Sequence, residues 1–140
     1  MAIKSANTGG AIFKPTEHFQ VAAMLFDVVR IDTNVPRTFP GSPEQLRDEV
    51  IADVTFFDSA QDAELGQGRT VPNMLIGSTA LVNGLKNVGV GNSAIQTVKK
   101  VKNYYAFGDV PGPIEEHVVA YYEAREQARA GAAADMDALL

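Results

Sequence analysis

The chain has 140 residues, 46% of them hydrophobic, with no cysteine and a formal net charge of −5. That is one domain's worth of sequence with enough apolar content for an independent core, and the missing thiols exclude a disulfide framework or a thiolate metal site. No segment approaches the roughly 20 apolar residues of a membrane span, and MAIKSANTGG at the start has no signal-peptide core. The expectation is a soluble, non-secreted protein compatible with a reducing cytoplasm.

Taken in order, residues 1–18 read as a flexible N-terminal arm, polar and glycine-bearing at its start. Phe19 to Ile31, FQVAAMLFDVVRI, is apolar enough for a buried element, helix or strand at its start, and Val28, Val29 and Ile31 favour a strand in its second half. Arg30 alternates with those apolar residues and should face water or a ligand. Asp32 to Pro43 reads as a long loop carrying Arg37 and Phe39, and Ser42-Pro43-Glu44 resembles a helix start leading into a short turn through Arg47.

Val50 to Asp58, VIADVTFFD, is the best strand by alternation. Ala52, Val54 and Phe56 share one face. Ile51, Asp53, Thr55 and Phe57 share the other, whose polar members make Phe57 the ring expected to be exposed. A polar connection, Ser59 to Gly68, leads to a strand over Arg69 to Ile76 that Pro72 confines to an edge or a bulge. Ser78 to Leu85 reads as a short helix that Gly84 weakens, followed by a flexible turn, Asn87 to Asn92.

The stretch Ala94 to Phe107, AIQTVKKVKNYYAF, gathers Lys99, Lys100 and Lys102 just before Tyr104, Tyr105 and Phe107. As a continuous strand it would point Lys100, Lys102 and Tyr104 one way and Lys99, Val101, Asn103 and Tyr105 the other. Lysines neutralise phosphates and a ring stacks on any base, so cations beside a ring on an open face fit a single-stranded nucleic acid. The alternative is a solvated edge strand whose lysines deter aggregation. The net charge does not exclude the first reading. Residues 1–110 hold 10 Lys or Arg against 11 Asp or Glu, while residues 111–140 hold 2 against 6, so the acid is concentrated at the C-terminal end.

After the GDVPGP break, Ile114 to Ala130 reads as a helix with Val118, Tyr121 and Tyr122 on its apolar side, ending at Gly131. The order is strand, loop, strand, strand, short helix, strand, a further strand, and a C-terminal helix. It suits a mainly β fold with a C-terminal helix, namely a five-stranded Greek-key barrel of the oligonucleotide/oligosaccharide-binding (OB) type over residues 19–110, with a helix and acidic tail over 111–140. A β-sandwich is the alternative.

Catalytic signals are missing. His18 and His117 stand far apart and in no metal-ligand spacing. No nucleophile-elbow pattern surrounds a serine, and Gly89-Val90-Gly91 is too short to cradle a phosphate. Asp27, Asp32, Asp53 and Asp58 would form a metal cluster only if the fold joined them. The reading is a non-enzyme without cofactor or metal.

The blocks MLFDVVRIDTNVPRTFPG, VIADVTFFD and VPNMLIGSTALVNGL, together with the lysine stretch, resemble a group of small proteins from actinobacterial viruses over roughly Phe19 to Tyr122. The resemblance implies an OB barrel, a single-stranded-DNA-binding role in viral DNA replication or recombination, and residence in the host cytoplasm. Such proteins commonly carry a Trp in the last strand. This chain has none, and Tyr104, Tyr105 and Phe107 stand in that zone.

On this reading the nucleic-acid-binding residues are Arg30, Phe57, Lys99, Lys100, Lys102 and Tyr104 on the barrel face, with Arg37, Phe39, Arg69 and Lys86 on flanking loops. An exposed sheet edge or the C-terminal helix would make a homo-oligomer. Asp135, Asp137, Leu139 and Leu140 form an acidic, apolar-tipped end similar to the tips by which bacterial single-stranded-DNA-binding proteins recruit replication and recombination enzymes. The competing class is a structural or adaptor phage protein acting through protein contacts.

Overall fold

Alternation along one segment decides the layering. In β1 (Ala23–Arg37) Met24, Phe26 and Val28 enter one buried cluster, while Ala23 and Leu25 enter another. Successive strand residues point to opposite faces, so this strand must be covered on both sides. The computed structural model, which describes residues 11–18 and 20–139, supplies both layers. β1 is joined by β2 (Gln45–Phe57), β3 (Arg69–Ile76), β4 (Ser93–Val101) and β5 (Tyr104–Gly108), with helices α1 (Pro15–His18), α2 (Ala60–Glu64), α3 (Thr79–Val88) and α4 (Gly112–Leu139).

The strands form one sheet in the order β3-β2-β1-β4-β5, every neighbour antiparallel, curled into a half-barrel. A single sheet replaces the sandwich alternative. Five strands, a helix between the third and fourth, and a C-terminal helix is the order the sequence led us to expect. No helix among the described residues is long and apolar enough to cross a membrane.

The inner face of the curl is closed by α3, whose Leu81, Val82 and Leu85 join Met24, Phe26, Val54 and Phe56 in the main core. Each such large side chain contributes roughly 1.5–3 kcal/mol by leaving water. Gly84 does not weaken α3 so much as admit β5, for a methyl there would stand 2.8 Å from the Phe107 ring. Within residues 11–18, expected as part of a flexible arm, Ala11 to Phe13 pair with the sheet edge and Phe13 is buried. Phe13 donates its N–H to the Leu75 carbonyl at 2.9 Å, Leu75 returns one to Ala11 at 2.9 Å, and the buried Phe13 ring meets Phe26 at 5.7 Å. The apolar pair Ile12-Phe13 finds a sheet edge to pair with and a core to fill, which polar composition around it concealed.

Two bulges explain where the strands depart from expectation. Asn34 takes φ 53°, a left-handed conformation Asn tolerates, and donates its N–H to Asp48 at 3.0 Å, so β1 continues to Arg37 instead of yielding to a loop at Asp32. Pairing of Arg37 with Gln45 and Pro36 with Leu46 then draws Gln45 to Arg47 into β2, and no helix starts at Pro43. In the same way Asn73, also at φ 53°, donates its N–H to Asp53 at 2.9 Å beside Pro72, and β3 lies at the sheet edge as a strand proline requires. The Ser59–Gly68 connection contains α2, capped by the Ser59 hydroxyl accepting from the Asp62 N–H at 3.1 Å.

The outer face is covered by α4, and this corrects the reading of Phe57. That ring is fully buried with Leu25, Ala63 and Val118 and meets Tyr121 edge-on at 5.2 Å. A helix more than fifty residues away in sequence turns the half-polar face of β2 into a second core. Arg125 of α4 clamps the layer with a bidentate pair to Asp27 at 2.7 and 2.8 Å, and Asp27 also accepts from the Ser93 hydroxyl at 2.5 Å. α4 does not stop at Gly131 but runs to Leu139. One helical glycine costs about 1 kcal/mol, and the alanines around it are the best helix formers. Leu140 and the side chains of Asp137 and Leu139 lie outside the described residues, while Asp135 is exposed.

Two expectations follow. Burial pushes the Asp27 carboxyl up, but the Arg125 hydrogen bonds and charge with the Ser93 hydroxyl outweigh it and hold it below the usual range. A depressed folded value means the stability is present above the unfolded carboxylate range and is lost as pH falls through it. Asp27→Asn should cost about 2 kcal/mol at neutral pH, read as a shifted denaturation midpoint, with a smaller acid dependence than the parent.

His18 lies 4.9 Å from the Phe13 ring and 4.7 Å from the Phe56 ring, with a buried Nδ1 that has no partner among the described residues. Desolvation lowers its proton affinity, so the unfolded chain binds the extra proton first and stability should fall as pH drops through the ordinary imidazole range. Melting curves of His18→Phe should be flat across that window where the parent's are not.

Candidate nucleic-acid interface

The lysine stretch is a hairpin, not one strand. Val101 pairs with Tyr104 across a two-residue turn of Lys102 and Asn103, with Lys102 at φ 52°. The turn breaks the alternation that grouped Lys100, Lys102 and Tyr104. Lys100 stands opposite Tyr105 and Lys99 opposite Ala106, so Tyr104 shares its face with Lys99 and Val101, and Lys102 occupies the tip. Asn103 between β-branched and aromatic runs is the one sequence sign of this turn, and a lysine at the left-handed position masks it.

The rings divide accordingly. Phe107 packs edge-on against Phe26 at 5.1 Å and Tyr105 lies partly buried against the same core, whereas Tyr104 is 53% exposed. An exposed phenol beside lysines offers a stacking surface; Phe57, under α4, does not.

Charge pairing separates the candidate cations. Arg30 holds Asp32 at 2.9 Å, Arg69 holds Asp58 at 3.1 Å while lying over the Phe56 ring, and Lys86 holds Asp48 at 2.6 Å. Arg37 and Arg47 both hold Glu49, at 2.6 and 2.8 Å, and Arg47 lies over Phe39 with its guanidinium 5.3 Å from the ring. Glu49 is only 1% exposed. The Arg37 hydrogen bonds, opposed by burial and helped by Arg47, keep its carboxyl below the usual range. Among the described residues Lys99, Lys100 and Lys102 are the cations without a carboxylate partner. The four aspartates that sequence raised as a metal cluster are dispersed: Asp27 on Arg125, Asp32 on Arg30, Asp58 on Arg69 and Asp53 on the Asn73 N–H. No group of three or more metal-ligating side chains occurs among the described residues.

Two shallow grooves flank the first turn and a half of α3. One, of about 510 Å³, runs between α3 and the hairpin tip and is lined by Ser78, Thr79, Asn83, Asn103, Tyr104 and Tyr105. The other, of about 220 Å³, is bounded by Leu46, Arg47, Asp48 and Gly77, and shares Thr79 and Asn83 with the first. The shared residues place them side by side, so the Arg47–Phe39 pair and the lysine tip stand at opposite ends of one track across α3. Gly77 belongs to this arrangement, since a methyl there would lie 2.5 Å from the Arg47 guanidinium. Arg37, Phe39 and Lys86 join this region through Glu49, Arg47 and Asp48, while Arg30 and Arg69 line neither groove. Arg47 and Asn83 carry no signal in the sequence and Asn103 signals only a turn, because the fold alone juxtaposes them.

Glu49→Gln should destabilise the chain by at least about 2 kcal/mol, because two guanidinium groups lose the charge they share; an unchanged denaturation midpoint would show that the cluster is dispensable. No family model matches this chain, and comparison with curated proteins and with solved structures finds no match either.

Proposed function

We propose that this protein binds single-stranded DNA at the β4–β5 tip and the track across α3, and that its half-barrel is of the OB type. The observation that carries the reading is the partition of charge: the cations left unpaired, Lys99, Lys100 and Lys102, all lie on the hairpin that carries the exposed ring of Tyr104, Lys99 on its face, Lys102 at the tip and Lys100 on the reverse side. Unpaired lysines exchange condensed counterions for phosphates, and an exposed ring stacks on a base whatever its identity. A single strand presents both backbone and base faces to such a tip; a duplex hides its bases in the stack. Docking a helix in the major groove calls for cations on it to meet the flanking phosphates, and α3, the helix at the site, carries one, Lys86, already held by Asp48.

The OB assignment is supported by the β1-β2-β3 meander, the antiparallel β1–β4 pairing, the β4–β5 hairpin and the helix between β3 and β4. OB folds bind oligonucleotides with the loops that follow their first and fourth strands. Here those loops are residues 38–44, with Phe39, and the Lys102–Asn103 turn. A β3–β5 ladder that would close the barrel is not among the described pairings. A role in viral DNA replication or recombination rests on the same binding activity.

The test is fluorescence polarisation with a labelled oligo-dT and its duplex counterpart at two salt concentrations. The single strand should bind tighter and the affinity should fall with salt. Changing Lys99, Lys100 and Lys102 together to Ala should flatten that dependence by roughly 0.7 in the log–log slope for each phosphate that is no longer neutralised. Tyr104→Ala should lose roughly 1–3 kcal/mol of binding with an unaltered melting temperature, because the ring is mostly outside the core. Equal or tighter binding to duplex, or lysine variants that bind like the parent, would refute the proposal.

A further inference from the structure

We propose that the groove between α3 and the β4–β5 turn holds one unstacked nucleobase and reads its hydrogen-bonding edge, favouring adenine at a single position of a strand otherwise held by its phosphates. This inference rests on the single-strand reading above and adds a specificity that the lysines and Tyr104 cannot supply.

The groove's lining is unlike the rest of the interface. About 510 Å³ is within the range of small-molecule sites. Its polar lining residues are all neutral: Ser78, Thr79, Asn83, Asn103, Tyr104 and Tyr105. A phosphate or carboxylate seated there would lose its hydration and meet no cation, because Lys102 adjoins the groove from the turn without lining it. A purely apolar ligand would strand four hydrogen-bonding side chains. The chemistry that fits is a flat, neutral ring with donors and acceptors on its rim.

Four of these side chains are also free to act. Among the described residues, Ser78, Thr79, Asn83 and Asn103 make no side-chain hydrogen bond, and Ser78 stands at the head of α3 without capping it. Groups in this state are bonded to water and exchange it for a ligand at little cost in the fold. An amide sets a donor beside an acceptor, the pattern that pairs with adenine through its N6 amino group and N7. Asn83 comes from the helix and Asn103 from the turn, so the two amides face the groove from opposite walls, with a ring on the Asn103 side to stack on. Lys102, next to Asn103, then stands where the phosphate of the bound nucleotide leaves the groove.

The experiment compares oligo-dT with the same oligonucleotide carrying one central dA, using the full chain and an Asn83→Ala/Asn103→Ala double variant. The parent should bind the dA-containing strand roughly tenfold tighter, and the double variant should lose that difference and bind both strands alike. Equal affinities in the parent overturn base reading but leave single-strand binding intact. A preference that survives in the double variant overturns the groove as its source. Failure of the parent to bind either strand removes both proposals. Because Asn103 lies in a turn, Asn83→Ala alone is measured as well: it sits exposed on α3, keeps the fold, and should lose most of the preference.

Discussion

Burial of β1 on both faces is the constraint on which the rest of this structure depends. Met24 and Phe26 must point inward while Ala23, Leu25 and Asp27 point outward, so a slip of one residue against β2 or β4 would carry the Asp27 carboxylate into the inner core. The register is therefore set by the strand itself. It also demands two covering layers, α3 within the curl and α4 outside it, and Arg125 ties the outer one to the sheet through the charge that the register exposes on that side. With both faces of the central sheet occupied, the space open to a ligand lies at the periphery: the two hairpin ends, the head of α3 between them, and a groove of about 390 Å³ between β4 and α4.

Charge follows the same division. The chain is acidic in sum, yet the acids of the β-sheet region are largely spent on arginines and on the two bulge asparagines, and the surplus lies along α4. At physiological salt the screening length is about 8 Å, and α4 spans 28 residues at 1.5 Å rise each. Much of its charge is thus felt only locally, and the lysine tip keeps its own positive potential. A net charge is a poor guide to partners when opposite charges are neutralised in place in one region and left bare in another.

How much of this was legible in the sequence depends on the range of the interactions involved. The β2 faces, the edge position that Pro72 imposes, and the α3 helix rest on near neighbours, and all can be read directly. Phe57, by contrast, sits on a face whose polar neighbours argue for exposure; only α4, contributed from the far end of the chain, makes it core. The grouping of Lys100, Lys102 and Tyr104 failed because strand parity was carried through a turn that one left-handed lysine creates. Gly131 was overruled by the helix propensity around it, and Ile12-Phe13 by an edge and a cavity that exist only once the sheet has formed. The neutral lining of the α3 groove has no linear signature, since its two asparagines are twenty residues apart and are joined by the fold alone.

The central claim, that a single strand is held at the β4–β5 tip and across the head of α3, is tested most directly by titrating the 15N-labelled protein with oligo-dT and mapping amide chemical shifts. The account predicts perturbations concentrated at residues 99–105 and 78–83, extending to Phe39 and Arg47, with α4 beyond Arg125 unmoved. Shifts confined to α4 or to the β3 edge, or none at all at saturating oligonucleotide, would contradict it.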